Sequence, residues 1–289
     1  MAKALVRLCF TISIICLLFI FFVNIETLCS EEDVSKDIVT AHTGLSRGAE
    51  IECDITKFVG ESFKFNVGFW IFNKIGTVEL QTVSDGNNLV VTIDGSTSGM
   101  IDGILHRHNL YKTTMILDKD INRLKPLNTY EKKVKGDKER VKITDYDYVN
   151  NMRKFTIWKD GKLRREREVK LENKVSDDGV SAFYNLRSEM YGEIKDGARF
   201  NICTAYKDRS ADSTINVRTP VNSDKLYKRK GSDFTASFAA EISIDPEVFD
   251  SKDGKVVILF TDDLLPIGFI AKNVLGFGDL YGNLEKKTN

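Results

Sequence analysis

The chain is poor in the residues that build catalytic and metal centres. Three histidines and five cysteines among 289 residues leave few ways to assemble a metal site. No phosphate-binding Walker loop, dinucleotide fingerprint, zinc-knuckle spacing or zincin motif is present, so no cofactor and no metal is expected. Charge of either sign is not in surplus: 42 basic side chains meet 42 acidic ones, which removes long-range attraction for nucleic acid or an anionic membrane surface. Proline occurs four times, and glycine falls mostly at turns, so nothing marks an internal linker.

Long apolar runs are equally scarce, and the exception lies at the N-terminus. Lys3 and Arg7 precede an apolar run from Leu8 to Val23, and a short polar stretch follows to Cys29 and Ser30. This is the layout of an export signal. Its length falls between a signal core and a membrane-spanning helix. Cleavage is the favoured expectation, with Thr27-Leu28-Cys29 permitting a cut before Ser30; retention of residues 8–23 as an inner-membrane anchor is the alternative. Lipidation of Cys29 is disfavoured because Glu26 and Leu28 occupy the positions that would need a Leu-like and a small residue. The expected location is therefore the periplasm, with membrane contact only through the N-terminal segment if it is uncleaved. The expected organisation is a signal peptide over 1–29, a polar tether over 30–50 and a single β-rich domain over 51–284. After export, Cys53 and Cys203 remain in a compartment that permits disulfides. A bridge between them, stabilising by roughly 2 to 5 kcal/mol, and two separately buried thiols are both compatible with the sequence.

From Ile51 onward the pattern is one strand after another. Phe63, Phe65 and Val67 alternate with Ser62, Lys64 and Asn66, the period of a half-buried strand. "GFWIFNKI", Gly68 to Ile75, is expected as an apolar turn region before a second strand over 77–83. Asp85-Gly86-Asn87-Asn88, Gly136-Asp137 and Asp160-Gly161 carry hairpin-turn chemistry, because Gly, Asn and Asp accept positive φ. Later strands are expected over 198–206, 213–221, 234–244 and 255–261. The architecture is all-β: a large curved antiparallel sheet or partly closed barrel, with an N-terminal hydrophobic signal helix.

One internal helix interrupts this, over about residues 178–190. Val180, Phe183, Tyr184, Arg187 and Met190 or Tyr191 recur at three- and four-residue steps. Asp177 or Asp178 can cap its start, and Gly192 is placed to stop it. "GVSAF" is a near-miss of the Gly-x-Ser-x-Gly hydrolase elbow, but Phe183 stands where the sharp turn needs glycine. Ser181 is therefore expected to support the helix cap, and no catalytic residue is assigned.

Other constellations have simpler explanations. His106 and His108 are spaced to share one side of a strand, with Asp102 as a further metal donor, yet "HRHN" is also ordinary polar surface. Asp177-Asp178 and Asp262-Asp263 suit a cap and a turn better than an acid and base pair. "KLRREREVK" interleaves glutamates that cancel its field, which argues against nucleic acid. The arm over 163–171 carries charge on both faces, so its middle is expected to be solvated on both sides, and the charged hairpins between Thr129 and Leu171 are able to fix register against an envelope partner.

Three stretches carry a family resemblance. "FVGESFKFNVGFWIFNKIGTVEL" (58–80), "DGVSAFYNLR" (178–187) and "TDDLLPIGFIAKNVLG" (261–276) occur in order. Together they resemble a family of exported bacterial proteins catalogued as domain of unknown function 3108. The resemblance implies an all-β fold with an internal helix, an envelope location and no established reaction. The charged arms between 130 and 175 depart from the family's usual pattern.

Aromatics are numerous, with 18 Phe, 9 Tyr and 2 Trp. Phe69, Trp70, Phe72, Phe183, Tyr184, Phe269 and Phe277 are the candidates for lining an apolar cleft; filling the core is the competing role. The expected function is non-enzymatic binding of an apolar ligand, a lipid, acyl chain or lipidated partner, in the cleft of the curved sheet. The alternative is a structural component of an envelope assembly.

Overall fold

The computed structural model describes residues 54–171, 176–206, 209–220, 236–243, 254–274 and 278–288. The expected signal peptide and tether, Cys53 and Phe277 lie outside them. A short 3-10 turn, Ile55–Phe58, leads into β1 (Ser62–Phe69), β2 (Phe72–Asp85), β3 (Asn88–Thr97), β4 (Arg107–Asp118), β5 (Arg123–Lys135), β6 (Lys138–Asp147), β7 (Met152–Lys159) and β8 (Lys162–Lys170). After a helix come β9 (Arg199–Tyr206), β10 (Arg209–Arg218), β11 (Phe238–Ser243), β12 (Lys255–Phe260), β13 (Pro266–Val274) and β14 (Gly278–Thr288). All fourteen belong to one antiparallel sheet in the order β8-β7-β6-β5-β4-β3-β2-β1-β14-β13-β12-β11-β10-β9. Two meanders are thus joined where β1 pairs with β14. No described helix is long and apolar enough to cross a membrane.

The hairpins form where turn chemistry placed them. Asp85 pairs with Asn88 around Gly86, at φ 60°. Lys159 pairs with Lys162 around Asp160 and Gly161, both at positive φ (51° and 71°), as a type I′ turn requires. The first hairpin departs from expectation. "GFWIF" is not an extended apolar turn: Phe69 pairs directly with Phe72, and Trp70 and Ile71 alone form the loop. Trp70 adopts φ 50° because a tight hairpin of right-twisted strands needs a left-handed first loop residue. Sequence chemistry points to Gly or Asn there, so the tight turn was hidden by its apolar composition.

Two helices are present in the described residues: α1 (Gly99–Leu105) between β3 and β4, and α2 (Gly179–Arg187) before β9. The first was not anticipated, since "GMIDGIL" contains two helix-weakening glycines. The second is the expected helix, but it stops at Arg187 rather than near Met190. Glu189 already has φ 56°, which turns the chain before Gly192 is reached.

The sheet curls. Tyr111 of β4 and Ile202 of β9 line one cavity beside α2, although their strands are nine places apart in the order. In a flat sheet, at ~4.8 Å per strand, they would be separated by roughly 40 Å. Glycine at the central joint permits the bend. Gly282 lies opposite Phe269, and Gly68 lies opposite Tyr281. A Cβ on Gly282 would fall 1.8 Å from the Phe269 ring, and one on Gly68 would fall 2.4 Å from the Tyr281 ring. Each aromatic therefore lies flat over a neighbouring glycine, a device that suits a strongly bent sheet. Phe269 belongs to the main core, whereas Tyr281 joins a small cluster with Ala239, Val257 and Ile270.

Gly282→Ala is expected to destabilise the protein by about 1 to 3 kcal/mol, because Phe269 must shift within a packed core. Gly103→Ala in α1, where no atom lies within 4 Å of the new Cβ, should instead be neutral or stabilising by up to about 1 kcal/mol. Urea denaturation midpoints of the two variants check this contrast; equal losses would refute it.

Candidate functional site

Helix α2 starts in a closed polar arrangement. The Asp178 Oδ1 accepts from the Ser181 backbone N at 2.6 Å, and Ser181 Oγ accepts from the Asp178 N at 2.9 Å. This reciprocal capping box satisfies two of the amide groups that a helix start leaves open. Ser181 is fully buried in that role, as its position at the helix start led one to expect.

The polar side of α2 faces β4 and β5. Asp178 Oδ2 accepts from Tyr111 Oη at 2.7 Å and from Thr113 Oγ1 at 2.9 Å. Asn185 bonds the Leu124 backbone twice, accepting from N at 2.8 Å and donating to O at 3.0 Å. It treats β5 as a neighbouring strand would. Asn185 also donates to Asp177 Oδ1 at 3.0 Å, while Asp177 Oδ2 accepts from Tyr191 Oη at 2.9 Å and from the Arg123 guanidinium. The Asp177 backbone meanwhile joins β9: its N donates to Cys203 O at 3.1 Å, and it forms an isolated parallel bridge with Thr204. One residue thus ties the β9 edge of the curled sheet to β5 across its interior. Burial pushes the Asp177 carboxyl up to about 6, against the opposing pull of Arg123 and Tyr191.

The other end of α2 is held by Arg187. Its guanidinium makes two 2.8 Å bonds to Glu61 and donates from Nε to Leu264 O at 3.0 Å. It lies 4.7 Å from the ring centre of Phe58, 5.4 Å from that of Phe183, and 5.5 Å from those of Phe63 and Tyr184. Four ring faces around a paired, buried cation leave little freedom to move.

On its remaining side α2 meets the sheet across an apolar gap of about 90 Å³. Val180, Phe183 and Leu186 line it from the helix. Ile202, Ile215, Ile242, Ile258 and Phe269 line it from β9 to β13, and Phe65, Leu80 and Ile93 complete the wall. An apolar cavity of ~150 Å³ stays dry, and this smaller one is lined almost wholly by apolar side chains.

Of the aromatic candidates, Phe183 and Phe269 line the cavity. Phe69 and Tyr184 are fully buried in the core instead, with Tyr184 sharing a 2.5 Å hydrogen bond with Thr82 Oγ1. Phe72 packs against the same core and is partly buried. Trp70 is 56% exposed at the β1–β2 turn, away from the cleft. A tight hairpin tip points outward, which run-length of aromatics does not reveal. The four isoleucines were missed. Each is one inward position of an ordinary strand, and only the register that sets Ile215 beside Ile242 shows them to be neighbours.

The two imidazoles do not share a strand face. His106 ends α1 with φ 40°, whereas His108 lies on β4 and bonds Asp94 at 2.7 Å. Among the described residues no three His, Cys, Asp or Glu side chains gather to hold a metal. The Cys53–Cys203 pairing falls partly outside the described residues. Asp263 accepts from the Thr261 hydroxyl in the turn before Pro266, as expected of a turn residue.

A family model described as "Protein of unknown function (DUF3108)" matches residues 64–285. The chain belongs to this family. Among solved structures, the DUF3108 domain is similar to a β-barrel-like protein of a domain of unknown function, DUF1849, from Brucella abortus. That likeness has 12% sequence identity and a TM-score of 0.49, and it covers 80% of this chain and 98% of the other. No curated protein matches the chain.

Two predictions test the helix anchors. Arg187→Met should lower unfolding free energy by about 3 kcal/mol, because it leaves the Glu61 carboxylate, only 11% exposed, without its partner. Adding Glu61→Gln should recover part of that loss in a double-mutant cycle read by urea denaturation, and no recovery would show that the pair is uncoupled. Asp177 gives a pH signature. Its native pKa lies above the ordinary carboxylate value of 3.8, so the native state holds the proton more tightly, and its stabilising contribution fades as pH rises from about 4 to about 6. Asp177→Asn should flatten the midpoint profile in that window; an unchanged slope would count against this assignment.

Proposed function

We propose that the protein is a non-enzymatic, exported binding protein of the bacterial envelope that takes an apolar chain, from a lipid or a lipidated partner, between α2 and strands β9 to β13. The observation that carries this reading is the asymmetry of α2. Its polar side and both ends are fixed by hydrogen bonds to β4, β5 and Glu61, while its Val180–Phe183–Leu186 side meets strands β9 to β13 through apolar contacts, such as Phe183 on Phe260, that border the gap. Binding would be driven by burial of apolar surface, at about 25 cal/mol per Å². Elongated guests would displace Phe183, which is only partly buried and stacks on Phe260 at 6.2 Å. The hydrophobic segment from Leu8 to Val23 supports the envelope location.

Full-length protein purified from a membrane-containing host is expected to carry lipid detectable by mass spectrometry and to bind a fluorescent fatty acid. Ile258→Trp, which adds volume to the lining, should weaken that binding at least tenfold. Absence of co-purified lipid together with unchanged probe binding in Ile258→Trp would sink the reading.

A further inference from the structure

The β1–β2 hairpin overhangs its neighbour. β3 ends at Thr97, opposite Gly76, whereas β2 starts at Phe72, so the stretch from Phe72 to Ile75 and its turn project beyond β3. Helix α1 lies beside that projection: Ser98 N donates to Ile75 O at 3.0 Å, and the helix packs on β2 and β3. Its Ile101 reaches the main core, as Phe72 does. Met100 and Ile104, one helical turn apart, are instead 83% and 55% exposed. At the turn itself Trp70 and Ile71 are 56% and 66% exposed. Four large apolar side chains from two adjoining segments thus stand in water at one end of the sheet.

The fold holds them there. Trp70 keeps φ 50° at a position where Gly or Asn would sit with less strain, and its N donates to Asp279 O at 3.0 Å. Gly278 makes room for it, since a Cβ there would come within 3.1 Å of the Trp70 Cβ. The stem of the indole is therefore seated on the start of β14 while the side chain stays largely in solvent. Behind the turn, Asn73 and Lys74 are exposed, so the apolar tip is backed by polar side chains.

We propose that Trp70, Ile71, Met100 and Ile104 dock the protein on the surface of a lipid bilayer. A projecting tip needs a matching groove on a protein partner, whereas a bilayer interface yields around it. That interface favours indole at headgroup depth and aliphatic side chains beside it, and Lys74 can keep its ammonium among the headgroups. The chain supplies the membrane as well: its apolar run from Leu8 to Val23 engages one, as an export signal or as an anchor. Residues 24–53 follow that run and reach roughly 100 Å if extended, against roughly 25 Å for the eight residues of β1. The tip can therefore meet the bilayer that an uncleaved segment occupies. Because 42 basic side chains balance 42 acidic ones, apolar insertion drives the contact and salt leaves it unchanged. The docking stands on the exposed tip and does not rest on the cavity beside α2.

The chain has two tryptophans, Trp70 and Trp158, which makes the test local. In full-length Trp158→Phe, Trp70 is the single tryptophan. With phosphatidylcholine vesicles its emission is expected to shift to shorter wavelength and to lose at least half its intensity when the acyl chains carry bromine, equally at low and at high salt. Trp70→Phe, which leaves Trp158 as the reporter, should show neither change. Wild-type protein should show an intermediate loss, which preserves the comparison with Trp70→Phe should Trp158→Phe fail to fold. Adding Met100→Asp and Ile104→Asp together should cut the quenching at least twofold. An unshifted, unquenched Trp70, including on vesicles that carry the protein through its N-terminal segment in flotation, would overturn the docking. So would a shift that appears without vesicles and grows with protein concentration, which would assign the tip to a second copy of the chain. Fluorescent fatty acid should bind the Met100→Asp, Ile104→Asp protein as it binds wild type, so the tip and the cavity can fail separately.

Discussion

The curled sheet depends on one buried carboxylate. Asp177 reaches β9 through its backbone and β5 through Arg123, and so bridges strands that the sheet order keeps far apart. A sheet of fourteen strands has two edges and no covalent closure. What ties the β9 edge to β5 across the interior is a polar contact in a dry place, where a missing partner is most damaging. The capping box at Asp178 and Ser181 stands next to that contact, so the helix start and the β9–β5 tie are the same piece of structure.

From this follows the uneven setting of α2. Hydrogen bonds are directional, and they fix the helix against β4 and β5 to within a narrow range of positions. The Arg187–Glu61 pair with its surrounding rings fixes the opposite end. The apolar side has no such constraint, and packing there can yield without breaking a polar contact.

Much of the fold was legible in the sequence, because alternation and turn chemistry are local properties. The alternating Phe63, Phe65 and Val67, the Asp-Gly turns and the α2 cap needed only neighbours along the chain. The site was less legible. Phe183 and Phe269 could be picked as aromatic, but nothing local separates them from Phe69 and Tyr184, which fill the core. Trp70 failed for a different reason: a two-residue turn of bulky residues defies the usual composition of tight hairpins. The isoleucine wall appears only once strands distant in sequence are placed side by side, and register is a long-range fact.

The pairing of β1 with β14 carries a consequence for assembly. β1, the first described strand in chain order, lies beside β2 on one side and on the other beside β14, the last. Its outer edge stays open until more than two hundred further residues have been synthesised, and only then can the two meanders share one interior. Such a closing step is dominated by non-local contacts, which slows folding and leaves β1 exposed to wrong partners meanwhile. The charged positions Lys64 on β1 and Lys286 and Lys287 on β14, in register along the two joining edges, place the gatekeeping charges of this protein at its last seam.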